Sequence, residues 1–214
     1  MMYCPLCLSA RVAEFTEDSL SRCLFKCENC EGVFVREAQM ESGIKEKERY
    51  LTHNNTIENK GYVDFLLRAV IPAEPYLHTV DKGLDYGSGP KPVLTEILEQ
   101  KGYKCEAYDF YFQPQLPQKQ YDFIFSTETF EHFKNPRKEL DTLCKLLVKG
   151  GILVIMTQPY TAQTNFKKWY YAGDFTHVFF YHSQTMEYIA REFGFKIINR
   201  DEKRGVWVMR LNDQ

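Results

Sequence analysis

The sequence predicts an α/β chain built on a mostly parallel sheet, with a small cysteine-rich unit ahead of it. Three observations carry that expectation. Strand-like and helix-like stretches alternate from Lys82 onward, two C-x-x-C pairs stand in the first 30 residues, and a glycine-rich turn follows the first strand of the alternating region.

Three segments follow from composition: 1–37, 38–81 and 82–214. The first is cysteine-rich and holds a β-prone run, Gly32-Val33-Phe34-Val35. The second is charged at first. Tyr62, Phe65, Leu66, Ala69 and Val70 then recur at helical spacing, and Pro72 is expected to stop that helix. In the third, Gly83-Leu84-Asp85-Tyr86 is a short strand and Val93 to Lys101 a helix. Tyr103 to Tyr108 and Tyr121 to Ser126 are strands. Asn135 to Val148 is a helix ended by Gly150-Gly151, and Ile152 to Met156 is a buried strand. His182 to Phe193 is a helix with His182 as its cap. Phe195 to Asn199 and Val206 to Leu211 are joined by only a charged turn, so they form an antiparallel hairpin. The other strands are separated by helices, which implies right-handed parallel crossovers.

Composition narrows the function. The chain has 214 residues, is 44% hydrophobic and carries a net charge of −2, so it has no global field for nucleic acid or an anionic membrane. No stretch reaches the roughly 20 apolar residues of a membrane span. The first residues also lack the charged flank and apolar core of a secretory signal, so the expected location is the cytoplasm.

Seven cysteines in such a compartment point to metal or free thiols rather than disulfides. Cys4-Pro-Leu-Cys7 and Cys27-Glu-Asn-Cys30 are separated by 19 residues, the pattern of a zinc ribbon. Thiolates select a soft or borderline metal, and a segment this short is not held by burial alone. An iron–sulfur cluster is the other metal consistent with four cysteines, and Cys23 is the rival to Cys27 as a ligand. A closed four-cysteine site serves structure or recognition rather than catalysis. Cys105 and Cys144, in apolar surroundings, read as inert buried thiols.

Leu84-Asp85-Tyr86-Gly87-Ser88-Gly89 lies between a strand and a helix, where glycines allow a ligand to approach the backbone. Pro90-Lys91-Pro92 follows, with no third glycine for a pyrophosphate, which counts against NAD or FAD. About 20 residues on, at the end of the next strand, Asp109 is placed to accept bonds from ribose hydroxyls.

These segments, followed in order by Tyr121 to Ser126, Glu131-His132-Phe133 and Leu147-Val148-Lys149-Gly150-Gly151, resemble the motifs of class I adenosylmethionine-dependent methyltransferases. A closer resemblance, to bacterial methyltransferase-domain proteins with a cysteine-rich N-terminus, takes in Tyr50 to Asn55 and Trp169 to Tyr181. It implies the Rossmann-like class I methyltransferase sheet with a C-terminal antiparallel hairpin. Only about eleven residues separate Asp109 from Tyr121, too few for helix plus strand, so the sheet should be one strand short.

The resemblance implies S-adenosylmethionine as cofactor, with Gly87, Ser88 and Gly89 lining its methionyl part and its carboxylate near their amides. Asp109 would hold the ribose, Thr127 and Glu128 would close the floor, and Asp85 would organise the turn from behind. Tyr50 and His53 are candidates to reach the methionyl group. Phe110, Tyr111 and Phe112 stand either against the adenine or over the open sheet edge.

Methyl transfer is an in-line displacement, so a general base matters only if the acceptor loses a proton. His177, flanked by Asp174 and Thr176, is the candidate base with Asp174 as its orienting partner, while His132 reads as structural or cofactor-adjacent. Phe166, Trp169, Tyr170, Tyr171, Phe175, Phe179, Phe180 and Tyr181 read either as a lid or as ordinary packing. Three functions remain open: methylation of a small molecule, methylation of RNA gripped by the ribbon, and a binding module that has lost its chemistry. Arg11, Arg22, Lys26 and Arg36 are too few in the ribbon to favour RNA.

Overall fold

The computed structural model describes residues 2–52 and 55–212, so His53 lies outside the described residues. Strands β1 (Val12–Glu17), β2 (Cys23–Cys27) and β3 (Val33–Val35) form the antiparallel N-terminal ribbon. Helices α1 (Gly43–Leu51) and α2 (Lys60–Ala73) lead into β4 (Lys82–Tyr86), α3 (Val93–Gln100), β5 (Lys104–Tyr108) and β6 (Tyr121–Thr127). The chain continues through α4 (Pro136–Leu146), β7 (Leu147–Met156), β8 (Phe179–Phe180), α5 (Ser183–Glu192), β9 (Phe195–Asp201) and β10 (Val206–Leu211).

The main sheet has the order β5-β4-β6-β7-β10-β9, with β5, β4, β6 and β7 parallel and β10 antiparallel to both its neighbours. It is one strand short, as the spacing predicts. Between β5 and β6 there is neither helix nor strand, and Asp109 and Gln113 instead exchange backbone hydrogen bonds of 3.3 and 2.9 Å in a tight turn. That leaves β5 at the edge.

Strand alternation distributes the core to two faces. Phe123, Phe125, Ile152, Val154, Val206 and Val208 pack under α2 and α3. Ile124, Leu153, Ile155, Trp207 and Met209 face the opposite way, onto α4, α5 and the ribbon residues Leu6 and Phe34. The two-residue strand β8 leaves the methyltransferase-like part and pairs with β3, through Val33–Phe180 and Phe34–Phe179. The ribbon is thereby sewn into the body of the protein by backbone hydrogen bonds.

Two boundaries differ from the sequence reading. Pro72 does not stop α2, which runs to Ala73; the Glu74 N–H closes on the Val70 carbonyl and a 3-10 turn follows. A proline in the last turn costs one backbone bond without forcing the chain out of helix. Helix α4 ends at Leu146 rather than Val148, because Leu147 is already extended and pairs with Tyr121. Gly150-Gly151 therefore fall inside β7, where a register shift absorbs the extra residues.

The aromatic stretch is mostly packing rather than lid. Phe166, Tyr171, Phe179, Phe180 and Tyr181 are buried, whereas Tyr170 is 74% exposed. His182 caps α5, its Nδ1 accepting from the Gln184 N–H at 3.2 Å. Burial raises the Cys144 thiol to about 11 and pushes the Cys105 thiol up as well, which keeps both un-ionised.

Candidate functional site

Two equivalent knuckles build the cysteine site. Leu8 and Glu31, each directly after the second cysteine of a pair, adopt φ of +59° and +62°. Their N–H groups return to the carbonyls of Cys4 and Cys27, at 3.0 and 2.9 Å. That symmetry selects Cys27 over Cys23, whose N–H bonds instead to Gln39 Oε1. Sγ atoms of Cys4 and Cys30 lie 3.6 Å apart, those of Cys7 and Cys27 3.4 Å, and all four lie within 4.8 Å of one another. These separations are far from a disulfide bond and near the ~3.8 Å edge of a tetrahedron with zinc–sulfur bonds of about 2.3 Å. The hydrogen bond from Cys30 lowers the Cys4 thiol to about 6, whereas burial raises Cys27 to about 11. Cys30 is pushed up by its bond to Cys4 and then by burial. Four thiolates in so small a space need a cation, so the donor set fits a divalent metal.

The glycine turn lies at the carboxyl end of β4, where ligands of open α/β sheets bind. Gly87 has φ of +88°, and a Cβ there would sit 2.3 Å from the Thr129 methyl. Gly89 has φ of +70°, but a Cβ there meets nothing within 4 Å. The space beside Gly89 is therefore open. The turn's own amides are taken up within the protein, contrary to expectation. Gly87 and Ser88 N–H donate to the Tyr108 carbonyl at 2.8 and 3.1 Å, and Gly89 N–H donates to Asp109 Oδ2 at 2.9 Å.

Asp109 is buried and ties the glycine turn to the shortened crossover. Its Oδ1 accepts from the N–H groups of Tyr111 and Phe112, at 2.8 and 3.1 Å. Among the described residues Oδ2 accepts only from Gly89, which leaves it capacity for a second bond. Asp85 lies behind the turn, accepts from Thr95 Oγ1 at 3.2 Å, and is raised by burial to about 7. Thr127 ends β6, and Glu128 after it holds φ of +49°, uncommon for a residue with a Cβ. Burial, reinforced by nearby Glu131, pushes the Glu128 carboxyl well up. Phe110 is 71% exposed, while Tyr111 turns inward and donates to Glu46 Oε2 at 2.9 Å.

Next along the strand ends is the group the sequence brings together from three places. Glu131 and His132 follow β6, His177 precedes β8, and Tyr50 comes from α1. The rings of Tyr50 and His132 meet edge to face at 5.2 Å, and those of His132 and His177 at 4.8 Å. Tyr50 donates to Glu46 Oε1 at 3.0 Å, so it faces His132, Tyr111 and Glu46.

Asp174 does not orient the His177 ring. The His177 Nδ1 bonds to the Tyr171 carbonyl at 2.6 Å, whereas the Asp174 carboxylate accepts from Arg49 at 2.8 and 3.1 Å and from Thr176 N–H and Oγ1. Asp174 shapes the turn through its short side chain, as such residues do. Burial raises its carboxyl, but the Thr176 bonds, His177 and Arg49 more than offset that and hold it low. Burial and the neighbouring His132 lower His177 to about 3, so its imidazole is neutral.

Sequence reasoning missed Arg22, Glu46, Arg49 and Glu131. Glu131 stood in a quoted motif, and its position beside His132 was the available signal. Arg22, one of the four ribbon cations of the sequence, is buried.

An open α/β sheet of this strand order, with a glycine turn and a buried aspartate at adjacent strand ends, defines a class I adenosylmethionine-dependent fold. The family model described as "Methyltransferase domain" matches residues 54–200. The chain belongs to that family and is an S-adenosylmethionine-dependent methyltransferase. A search of curated proteins finds no match to the sequence. Among solved structures, it is similar to the Burkholderia thailandensis 1,6-didemethyltoxoflavin-N1-methyltransferase, bound to 1,6-didemethyltoxoflavin and S-adenosylhomocysteine. Identity is 13% and the TM-score 0.59, over 87% of this chain and 98% of that one. It is also similar to Streptomyces venezuelae DesVI, at 10% identity and TM-score 0.54, over 80% of this chain and 99% of that one. An O-methyltransferase family protein from Burkholderia thailandensis matches at 12% identity and TM-score 0.52, over 78% and 62%. At such identities these likenesses speak to fold. No helix among the described residues is long and apolar enough to cross a membrane.

Proposed function

We propose that the protein transfers the methyl group of S-adenosylmethionine to an oxygen or nitrogen of a small molecule, and that zinc holds its ribbon. The observation that carries this reading is the open space at Gly89 beside Asp109, with the His132–His177 pair on the neighbouring strand ends. Asp109 Oδ2 receives a ribose hydroxyl, Thr127 and Glu128 form the floor, and the acceptor lies toward His177. The cofactor supplies an electrophilic methyl on a sulfonium. The acceptor's lone pair forms the new bond as the carbon–sulfur bond breaks, and its electrons remain on sulfur to give S-adenosylhomocysteine. Where the acceptor loses a proton, Nε2 of the neutral His177 takes it up and passes it to solvent, and Asp174 serves as a positioning residue for its turn.

Cation placement favours a small molecule over RNA. Arg22 is buried, Arg11 pairs with Glu28 and Lys26 pairs with Glu31, so these ribbon charges are not arrayed for phosphates. Within the cell interior, such an acceptor would be a diffusible metabolite. The test uses methyl-labelled adenosylmethionine with a panel of phenols, catechols, sugars and amines, and total RNA in parallel. Label in a small molecule supports the reading. Label in RNA alone overturns it.

A further inference from the structure

Glu131, His132 and His177 form a second cluster of metal-ligating side chains, separate from the cysteines. Their donor atoms lie within 4.8 Å of one another. Glu131 is fully buried, and its two oxygens differ. Oε2 accepts from Thr157 Oγ1 at 2.8 Å, but Oε1 has no hydrogen-bond partner among the described residues. The nearest cationic candidate, His132 Nε2, is 3.8 Å away, too far for a hydrogen bond. A buried carboxylate oxygen left bare is costly, and a cation is what offsets it.

The two imidazoles are arranged to supply that cation's other ligands. His132 Nδ1 lies 3.0 Å from the Thr176 carbonyl, and His177 Nδ1 lies 2.6 Å from the Tyr171 carbonyl. Carbonyls only accept, so each Nδ1 carries the proton and each Nε2 is left as the donor atom. Metal-binding histidines are held in this way, with the far ring N–H on a carbonyl or carboxylate. Glu131 is held likewise through Oε2, by a threonine that itself contacts the Tyr171 hydroxyl at 3.1 Å.

We infer that Glu131 Oε1, His132 Nε2 and His177 Nε2 bind one divalent first-row transition cation, with coordination positions left for a water or an acceptor oxygen. Two imidazoles and one carboxylate are the donor set of open zinc and non-haem iron sites. Bonds of about 2.1 Å give donor edges of about 3.4 Å, which side-chain rotation reaches from the observed spacing. The site deepens the proposed function, because His177 then governs the acceptor's proton through the cation rather than by taking it up. Metal binding itself is measured without any assumption about methyl transfer.

The test equilibrates the full-length protein with zinc, and separately with cobalt, removes loose metal by dialysis and counts metal per chain. The expected result is two equivalents, one showing thiolate-to-cobalt charge transfer and one without it. Glu131→Gln and His132→Asn should each lose the second equivalent and keep the thiolate-bound one. Long-range proton–nitrogen NMR of the unaltered protein provides a readout that does not depend on the variants folding. Two of the five histidines should shift at Nε2 when the second equivalent is added. A single equivalent that is all thiolate-bound overturns the inference. So does an Nε2-protonated His132 paired to Glu131 that zinc leaves unchanged. Calorimetric binding of adenosylmethionine, measured on the same samples, reports separately on the proposed function.

Discussion

Arg22 donates from Nη1 to the carbonyl of His177 at 3.0 Å, joining the ribbon to the loop that carries His177. The same guanidinium donates to the carbonyls of Ala172, Asp174 and Phe175, and its Nε donates to Asp18 at 2.6 Å. All five N–H groups of the arginine are thereby used, four of them on one loop. The ribbon thus acts as a clamp on residues 172–177, and β3 extends the grip by pairing with β8.

Removing that guanidinium should be expensive. Arg22→Met leaves Asp18 as an uncompensated buried charge and strips donors from four carbonyls, which costs about 3–5 kcal/mol. Arg22→Lys should recover little, because an ammonium cannot reach five acceptors. Urea denaturation measures the loss, and faster amide exchange over residues 172–178 locates it. Unchanged exchange in that loop would contradict the clamp.

Stripping the proposed ribbon zinc should weaken more than the ribbon. The β3–β8 pairing and the Tyr160 hydroxyl, which donates to the Glu31 carbonyl at 2.5 Å, couple the knuckle to the core. A strong chelator, or Cys30→Ser, should therefore lower the melting temperature of the whole chain in one transition. A separate early transition, with the core melting unchanged, would show the two parts to be independent.

Asp85 yields a pH prediction. Burial raises its carboxyl to about 7 when folded, above the ordinary carboxylate value of about 3.9. The folded state therefore binds a proton that the unfolded state releases, and stability falls as pH rises from about 4 to about 7. Asp85→Asn keeps an oxygen for Thr95 and removes the charge. Its unfolding free energy should match the parent at pH 4 and exceed it at pH 8, by a difference on the order of a few kcal/mol at most. Equal differences at both values would show that the carboxyl does not titrate in this range.

Much of the fold is legible in the sequence because it rests on local pattern. The continuously apolar runs Phe123-Ile124-Phe125 and Leu153-Val154-Ile155 mark strands, and the structure covers them on both faces. Eleven residues between Asp109 and Tyr121 state that a strand is missing. Cysteine spacing identifies the knuckles. What stayed hidden depends on distant pairing: Arg22 meets its carbonyls about 150 residues on, and β8 is two residues long with its partner in the ribbon. Proximity in sequence points to Asp174 as the orienting partner of His177, whereas the loop's fold brings the Tyr171 carbonyl to Nδ1. The bare Glu131 oxygen is likewise a property of three-dimensional packing alone.

The most direct measurement is calorimetric titration of the metal-replete protein with S-adenosylmethionine, comparing the parent with Gly89→Ala and Gly87→Ala. A methyl at Gly89 meets no protein atom, so that variant should fold with only about 1–2 kcal/mol of backbone strain. It should nevertheless fill the space where the cofactor lies. Gly87→Ala drives a methyl into Thr129 and should instead impair folding. The account predicts micromolar binding by the parent, at least a tenfold loss in folded Gly89→Ala, and partial rescue of Gly87→Ala stability by Thr129→Ala. Parent-like binding by folded Gly89→Ala would contradict the placement of the cofactor at this turn.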